Sequence, residues 1–350
     1  MNTRPTLKAV AAAAGVSPAS VSNAYNRPEQ LSAGARERIL DLAAQMGYAG
    51  PNPSASSLRS RRTGSIGMLF AQDLTYAFDD PYCTALLGGL AEVAAGTGSN
   101  LLLLPVGPHE VSRSYSRDEE LSLVQGTRRA ALDSAIADGV HPGHPVLRVL
   151  AERGVPVVGT AEGTGERCVL VDDRGSAVEL GEHLRSLGHQ RVAVVTDSMD
   201  DGEPAVAPDD THLFPYARLR VDGLREGLGT ADLTVISAGS NTQESGRRAA
   251  DTVLATTTRP TAIAATSDTL ALGILDQLRE RGLRPGADIS VAGFDDVPQA
   301  ALAGLTTVHQ PIREKGRTLG RMLLDPSFTQ TRVTLPTELV VRTSTAPTPK

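Results

Sequence analysis

From residue 65 onward, short apolar runs alternate with amphipathic segments, and this alternation constrains the fold more than any other feature. The runs are SIGMLF, NLLLLPV, ALDSAIA, VPVVG, CVLVD, RVAVVT, DLTVIS, TAIAAT, ISVAGF and LTTVHQ. Strands that are apolar along most of their length bury both faces, the mark of parallel sheets covered by helices. Segments of helical length lie between them, among them 82–96, 145–153, 174–187, 216–228, 242–256, 268–281 and 311–324. Parallel neighbours need crossovers, and helices supply them. About ten strands over nearly 290 residues exceed one compact sheet, so two α/β subdomains are expected.

The first 48 residues follow a different period. In LKAVAAAA (7–14), Leu7, Val10, Ala11 and Ala14 share one helical face, and Gly15 suits a left-handed stop. Ser17 fits an N-cap and Pro18 the first helical position, where its missing N–H costs nothing. Val21 and Ala24 give the second helix an inward side. Ser32 caps a third helix lined by Ile39, Leu40, Ala43 and Met46 and ended by Gly47. Two short helices joined by a glycine turn form a helix-turn-helix, whose second helix can enter a major groove. Residues 49–64, AGPNPSASSLRSRRTG, break that pattern at Pro51 and Pro53 and leave barely two turns with Ala55 and Leu58 on one side. So short a helix orders only against a partner.

Charge separates the same regions. Residues 1–62 hold eight Lys or Arg against three acids, a surplus of five positive charges, while the whole chain is −6. A basic head on an acidic body suggests a polyanion for the head alone. No apolar run approaches the roughly 20 residues of a membrane span, and no signal peptide is read. Cys83 and Cys168 give neither a disulfide framework nor a metal spacing. A cytoplasmic protein without metal or cofactor is expected. HPGHP (141–145) reads as a turn, and the acidic stretch 197–212 as a mobile loop. The polar tail RTSTAPTPK is expected to be disordered. No Ser-His-Asp arrangement, Walker loop or dinucleotide fingerprint is present, so no catalytic residues are assigned.

The stretches LKAVAAAAGVSPASVSNAYNRPEQLSAGARERILDLAAQMGYAGPNPSASSLRSRRTGSIGML, VDDRGSAVELGEHLRSLGHQRVAVV and PTAIAATSDTLALGILDQLRERGLRPGADISVAGFDDVPQAALAGLTTVHQPI together resemble the lactose-repressor (LacI/GalR) family of bacterial transcription regulators. The resemblance spans nearly the whole chain in family order. It implies a small all-α helix-turn-helix head plus an α/β two-subdomain periplasmic-binding-protein type I effector core. The implied division is a DNA-binding domain at 1–50, a hinge helix at 51–64 and a ligand-binding and dimerisation core at 65–350. Within that core an N-subdomain of about 65–165 and 294–325 and a C-subdomain of about 166–293 and 326–350 are expected, joined by three crossovers. The family's base-reading positions match Pro18, Ala19 and Asn23. Pro18 and Ala19 depart from its usual larger polar groups, which leaves Asn23 as the adenine reader. Ser17, Ser22, Asn26 and Tyr48 match backbone contacts, which position without specifying. Leu58 matches a minor-groove wedge, with Ala55 beside it and Arg59, Arg61 and Arg62 toward phosphate.

Ligands in open α/β sheets sit beyond the carboxyl ends of strands. Ser267, Asp268 and Asp295 stand at such ends. By family match, Asp295 accepts ligand hydroxyls, Arg220 is the ligand-binding arginine, and Asn241 occupies an aromatic-or-amide position. Asp268 reads equally as a helix N-cap. Five aromatics, Tyr76, Phe78, Tyr82, Phe214 and Tyr216, cluster in two loops after strands, and with carboxylates they suit a sugar or nucleoside. Phe78 and Asp79 are the candidates in the first loop. The expected function is a DNA-binding transcriptional regulator, in the repressor sense. A homodimer would sit on a near-palindromic double-stranded operator and respond to a small-molecule effector. The alternatives are a solute-binding protein or an enzyme on the same α/β core.

Overall fold

The computed structural model describes residues 5–51, 63–107, 115–199, 202–207 and 213–348. The chain forms two compact units, Met1–Thr63 and Gly64–Lys350.

In the first unit, α1 (Leu7–Ala14), α2 (Pro18–Asn26) and α3 (Ala33–Gln45) enclose a small core, with a 3-10 turn at Pro28–Gln30. Each helix begins on a hydroxyl that accepts a backbone N–H: Thr6 from Ala9, Ser17 from Ser20 and Ser32 from Ala35. Gly15 takes φ +64° and turns the chain out of α1, where a side chain would be strained. Val10, Ala11, Val21, Ala24, Ile39 and Ala43 are buried together. Helices of 8 to 13 residues owe their stability to this shared face. The Arg36 guanidinium donates to the Ala24 carbonyl at 3.1 Å, tying α3 to the end of α2.

The second unit is built on two sheets. The first carries β1 (Ser65–Phe70), β2 (Asn100–Pro105), β3 (Ser134–Asp138), β4 (Val157–Gly159), β5 (Arg167–Val171) and β12 (Arg332–Leu335) in the order β12-β5-β4-β3-β1-β2, all parallel. The second carries β6 (Arg191–Thr196), β7 (Ala205–Val206), β8 (Asp232–Ser237), β9 (Ala262–Ala265), β10 (Ser290–Asp295), β11 (Thr306–His309) and β13 (Glu338–Val340) in the order β13-β11-β10-β9-β6-β8-β7. Its two edge strands, β7 and β13, run antiparallel to their neighbours. Central strands such as β3, β9 and β10 are buried at every residue, as their unbroken apolarity requires.

Helices α4 (Leu74–Asp79), α5 (Pro81–Thr97), α6 (Arg117–Arg129), α7 (Pro145–Glu152), α8 (Asp173–Ser186), α9 (Pro215–Leu228), α10 (Gln243–Leu254), α11 (Asp268–Glu280), α12 (Pro298–Ala303) and α13 (Ile312–Leu324) cover the sheets. Glycine lets α5 and α13 approach backbone to backbone. A Cβ on Gly89 would stand 2.0 Å from the Arg313 carbonyl oxygen, and one on Gly316 2.1 Å from that of Leu86.

Several expectations are corrected. β5 and β12 belong to the first sheet, whereas β11 stays beside β10 in the second. The chain therefore changes sheet after β5, between β11 and α13, and between β12 and β13, rather than at the expected boundaries. Pairing decides this: Cys168 and Val169 register with Arg332 and Val333. Residues 74–79, read as loop, form α4 because the Asp73 carboxylate accepts the Tyr76 N–H at 2.8 Å. The tail is docked. Ser344 is buried and exchanges bonds with Val291 on both backbone and side chain, and its hydroxyl also accepts the Thr306 N–H at 2.8 Å. Hydroxyls let a polar tail pair with backbone that apolar side chains would leave unsatisfied. Part of the acidic stretch, β7, pairs with β8, while 200–201 and 208–212 lie outside the described residues.

Candidate functional site

Two places can meet a ligand, one in each unit. In the first, the cap on Ser17 fixes the start of α2, and Ser17, Pro18 and Ala19 are exposed there. Ser22 and Asn23 are half-buried one turn further on. The Asn23 amide donates to Gln30 at 3.2 Å, and the Asn26 amide donates to Ser22 at 3.4 Å. Tyr48 packs edge-on against Tyr25, centroids 6.0 Å apart. The helix start thus presents free N–H groups and a positive dipole end but few side-chain donors. Ala55, Leu58 and Arg59 lie outside the described residues.

The second place is a cleft in the larger unit, beyond the carboxyl ends of both sheets. Phe70, Asp138 and Thr160 reach it from the first sheet, and Ser267 and Asp295 from the second. Asp173, Tyr216, Arg220 and Lys315 enter from α8, α9 and α13. Arg220 organises one wall. It donates from Nε to Asp173 at 2.8 Å and from Nη1 to the Thr266 carbonyl at 2.5 Å, and lies 3.6 Å from Asp295. Its guanidinium also sits 3.6 Å from the Phe294 ring centroid and 5.0 Å from that of Tyr216. Burial works against this charge, yet Asp173 and Asp295 outweigh it and raise the pKa. Burial pushes Asp295 well above the usual carboxylate range against the pull of Arg220, and likewise raises Asp80 and Asp138.

Backbone strain gathers at the same strand end. Asp295 takes φ +127° and Asp296 +57°, a region non-glycine residues rarely enter. Gln310 holds Asp295 at 2.6 Å, and Arg342 holds Asp296 at 2.7 Å. Such conformations persist only where surrounding contacts over-determine them, and they cluster at functional sites.

Asn241 donates to the Tyr76 hydroxyl at 2.8 Å and accepts from Ser267 at 2.5 Å. Thr269 donates to Asp80 at 3.1 Å. The Asn241–Tyr76 and Thr269–Asp80 bonds join α4 and the start of α5 to the second sheet's side of the cleft.

Of the expected cleft residues, Arg220, Asn241, Ser267 and Asp295 come together here. Three do not. Phe78 is 60% exposed, and Asp79 reaches only the outer mouth. The α4 helix turns Tyr76 and Asp80 inward instead. Asp268 neither caps nor lines the cleft: Ser267 caps α11, and Asp268 is buried against the Val297 N–H at 2.9 Å and the Thr307 hydroxyl at 2.6 Å. Asp80, Asp138, Asp173 and Lys315 were not singled out from sequence. The strand-end rule reaches Asp138, which ends β3, and Asp173, which follows β5, as Asp295 ends β10 and Ser267 follows β9. Nothing local marks Lys315.

His144 accepts from the Val146 N–H and caps α7, so HPGHP is a turn. Among the described residues no cluster of metal-ligating side chains occurs, and no helix is long and apolar enough to cross a membrane.

Comparison with known proteins bears on both places. Residues 6–52 match the description "Bacterial regulatory proteins, lacI family", and residues 182–345 match "Periplasmic binding protein-like domain". An HTH-type transcriptional regulator of Mycolicibacterium smegmatis is 38% identical over 92% of this chain and 91% of its own. The Lac repressor bound to ONPG in its repressed state is 26% identical, with a TM-score of 0.72 over 98% of this chain and 100% of that one. The CelR–cellobiose complex is 27% identical, with a TM-score of 0.65 over 97% and 100%.

Proposed function

The chain belongs to the lacI family of bacterial transcriptional regulators, and from that premise we propose that it is a cytoplasmic repressor, released from its operator when a sugar-like effector fills the cleft. It is a sequence-specific DNA-binding regulator, not an enzyme. One observation carries the finer reading: a capped helix-turn-helix within a basic head and a cleft of buried hydrogen-bonding groups occur in one chain. A solute-binding protein would not need the first. The CelR complex with cellobiose supports a sugar in the second.

In this reading the repressor acts as a homodimer, because one head reads one half-site and a two-fold protein needs a near-palindromic operator. Pro18, Ala19 and Asn23 face base edges, and Ser17, Ser22, Asn26 and Tyr48 hold phosphate or sugar oxygens. Leu58, flanked by Ala55 and Arg59, wedges the minor groove, a role that rests on the sequence resemblance. Arg220, Asn241, Ser267 and Asp295 hold the effector. Occupancy lowers operator affinity by a coupling free energy that must also act in reverse, so operator DNA weakens effector binding by the same factor.

Gel-shift titration on promoter fragments adjoining its own gene tests this. Wild type is expected to bind one fragment specifically, and Leu58→Ala to lose that binding. Equal operator affinity for Leu58→Ala and wild type would remove the wedge. A tetramer by light scattering would contradict the dimer.

A further inference from the structure

The cleft holds two donor–acceptor couples rather than one. The first is Arg220 with Asp173 and Asp295. The second is Lys315 with Tyr82 and Asp138. The Lys315 ammonium, 5% exposed, donates to the Tyr82 hydroxyl at 3.0 Å, and Tyr82 donates to Asp138 at 3.2 Å. An ammonium has three donors and an ionised carboxylate about four acceptor positions, so this chain of contacts leaves both ends under-used. Lys315 and Asp138 both line the cleft. A buried ammonium without its full set of partners is costly unless a ligand completes it.

Charge narrows the ligand further. Four carboxylates line the cleft, from Asp80, Asp138, Asp173 and Asp295, against the two cations Arg220 and Lys315. The cleft is therefore short of positive charge, and burial, which pushes three of these acids upward, adds to the cost of a further anion. A phosphate or carboxylate would add negative charge to a cleft that already holds four carboxylates against two cations. An ammonium would donate to the acids but leave the Lys315 and Arg220 donors unmatched. A hydroxyl does both, donating to a carboxylate and accepting from the cation beside it.

We propose that the effector is an uncharged polyol gripped by hydroxyls at two ends, one at Arg220–Asp295 and the other at Lys315–Asp138, and that the cleft rejects phosphorylated and charged counterparts. Lys315 and Asp138 are then specificity-determining residues. This rests on the reading of the cleft as the effector site.

Titration calorimetry on the full chain tests it, with ribose, glucose, cellobiose and linear and cyclic polyols set against ribose 5-phosphate, glucose 6-phosphate and glucosamine. At least one neutral polyol is expected to bind, with its phosphorylated counterpart roughly 100-fold weaker through charge repulsion and its amino counterpart weaker because an ammonium offers Lys315 and Arg220 no acceptor. Lys315→Met and Asp138→Asn should each weaken the neutral polyol by about tenfold or more, as loss of a charged hydrogen bond does. Asp138→Asn should also narrow the gap to the phosphorylated form. Where Lys315→Met fails to fold, the near-isosteric Asp138→Asn carries the test. A charged counterpart that binds as tightly as the neutral one overturns the proposal, as do two folded variants that bind the polyol like wild type. If adenosine or guanosine binds the cleft and no polyol does, the ligand class falls while the effector reading stands. If Arg220→Ala leaves polyol binding untouched, the effector reading itself fails.

Discussion

The amino end of α2 and the cleft of the larger unit meet their ligands in opposite ways. At α2 the reading edge is exposed, carries no charged side chain and is nearly free of structural duties, since Pro18 and Ala19 bury nothing. In the cleft Arg220, Asn241, Ser267 and Asp295 are buried and already bonded to neighbours, as Arg220 is to Asp173 and Thr266. The difference separates recognition from stability at one place and fuses them at the other. A change at α2 should alter which DNA is bound without unfolding the protein. A change in the cleft should do both.

The sharpest break of that contrast is Arg220→Ala. It strands Asp173 and Asp295 without their cation, and removing one member of a buried pair costs about 3–5 kcal/mol. Urea unfolding should record that loss for the larger unit, together with an absent effector response. A variant as stable as wild type would mean the cleft is no more a structural element than α2 is.

The next test is pH. Burial holds Asp268 up to about 6, against roughly 3.9 in an unfolded chain. The native state then binds that proton more tightly between the two values, so stability falls as pH rises from about 4 to about 6 and levels above. Asp80, Asp138 and Asp295 are raised too and act in the same direction. Thermal melts across this range should show the decline, and Asp268→Asn should flatten part of it.

Asn23→Ala examines the other side. Operator affinity should drop by about 1–3 kcal/mol, the worth of one bidentate base contact, with the melting temperature nearly unchanged. A large loss of stability there would erase the distinction, since Asn23 would be holding Gln30 rather than reading a base. The smallest effects belong to the helix start. Ser17→Ala should cost the head about 1 kcal/mol through its cap, whereas Pro18→Ala should stay within about 0.5 kcal/mol. Chemical denaturation of the two variants side by side would show whether the cap alone is structural.

Legibility in the sequence follows the same divide. The caps on Ser17 and Ser32, the left-handed Gly15 and the inward faces of α1 to α3 depend on neighbours three or four residues away, so local reading finds them. The apolar runs that became β1, β6 and β8 needed only their own composition. Arg220 and Asp295 were reached through the family resemblance. Phe78 and Asp79 failed because an Asp73 cap turned a presumed loop into α4 and reversed which side chains face inward. Asp268 failed because its partners, Val297 and Thr307, lie 29 and 39 residues away.

What the sequence determined by itself was the succession of elements, the separation of a basic head from an acidic body, and the kind of protein this is. The first two depend on periodicity, charge and end-capping, all short-range quantities; the third came through the family resemblance. Tertiary structure alone decided which sheet each late strand joins, that Ser344 anchors the polar tail, and that Lys315, Tyr82 and Asp138 meet. The span between Tyr82 and Lys315 is 233 residues. No local propensity acts over that distance; packing of α13 against α5 brings the lysine to the cleft, where burial gives its charge consequence.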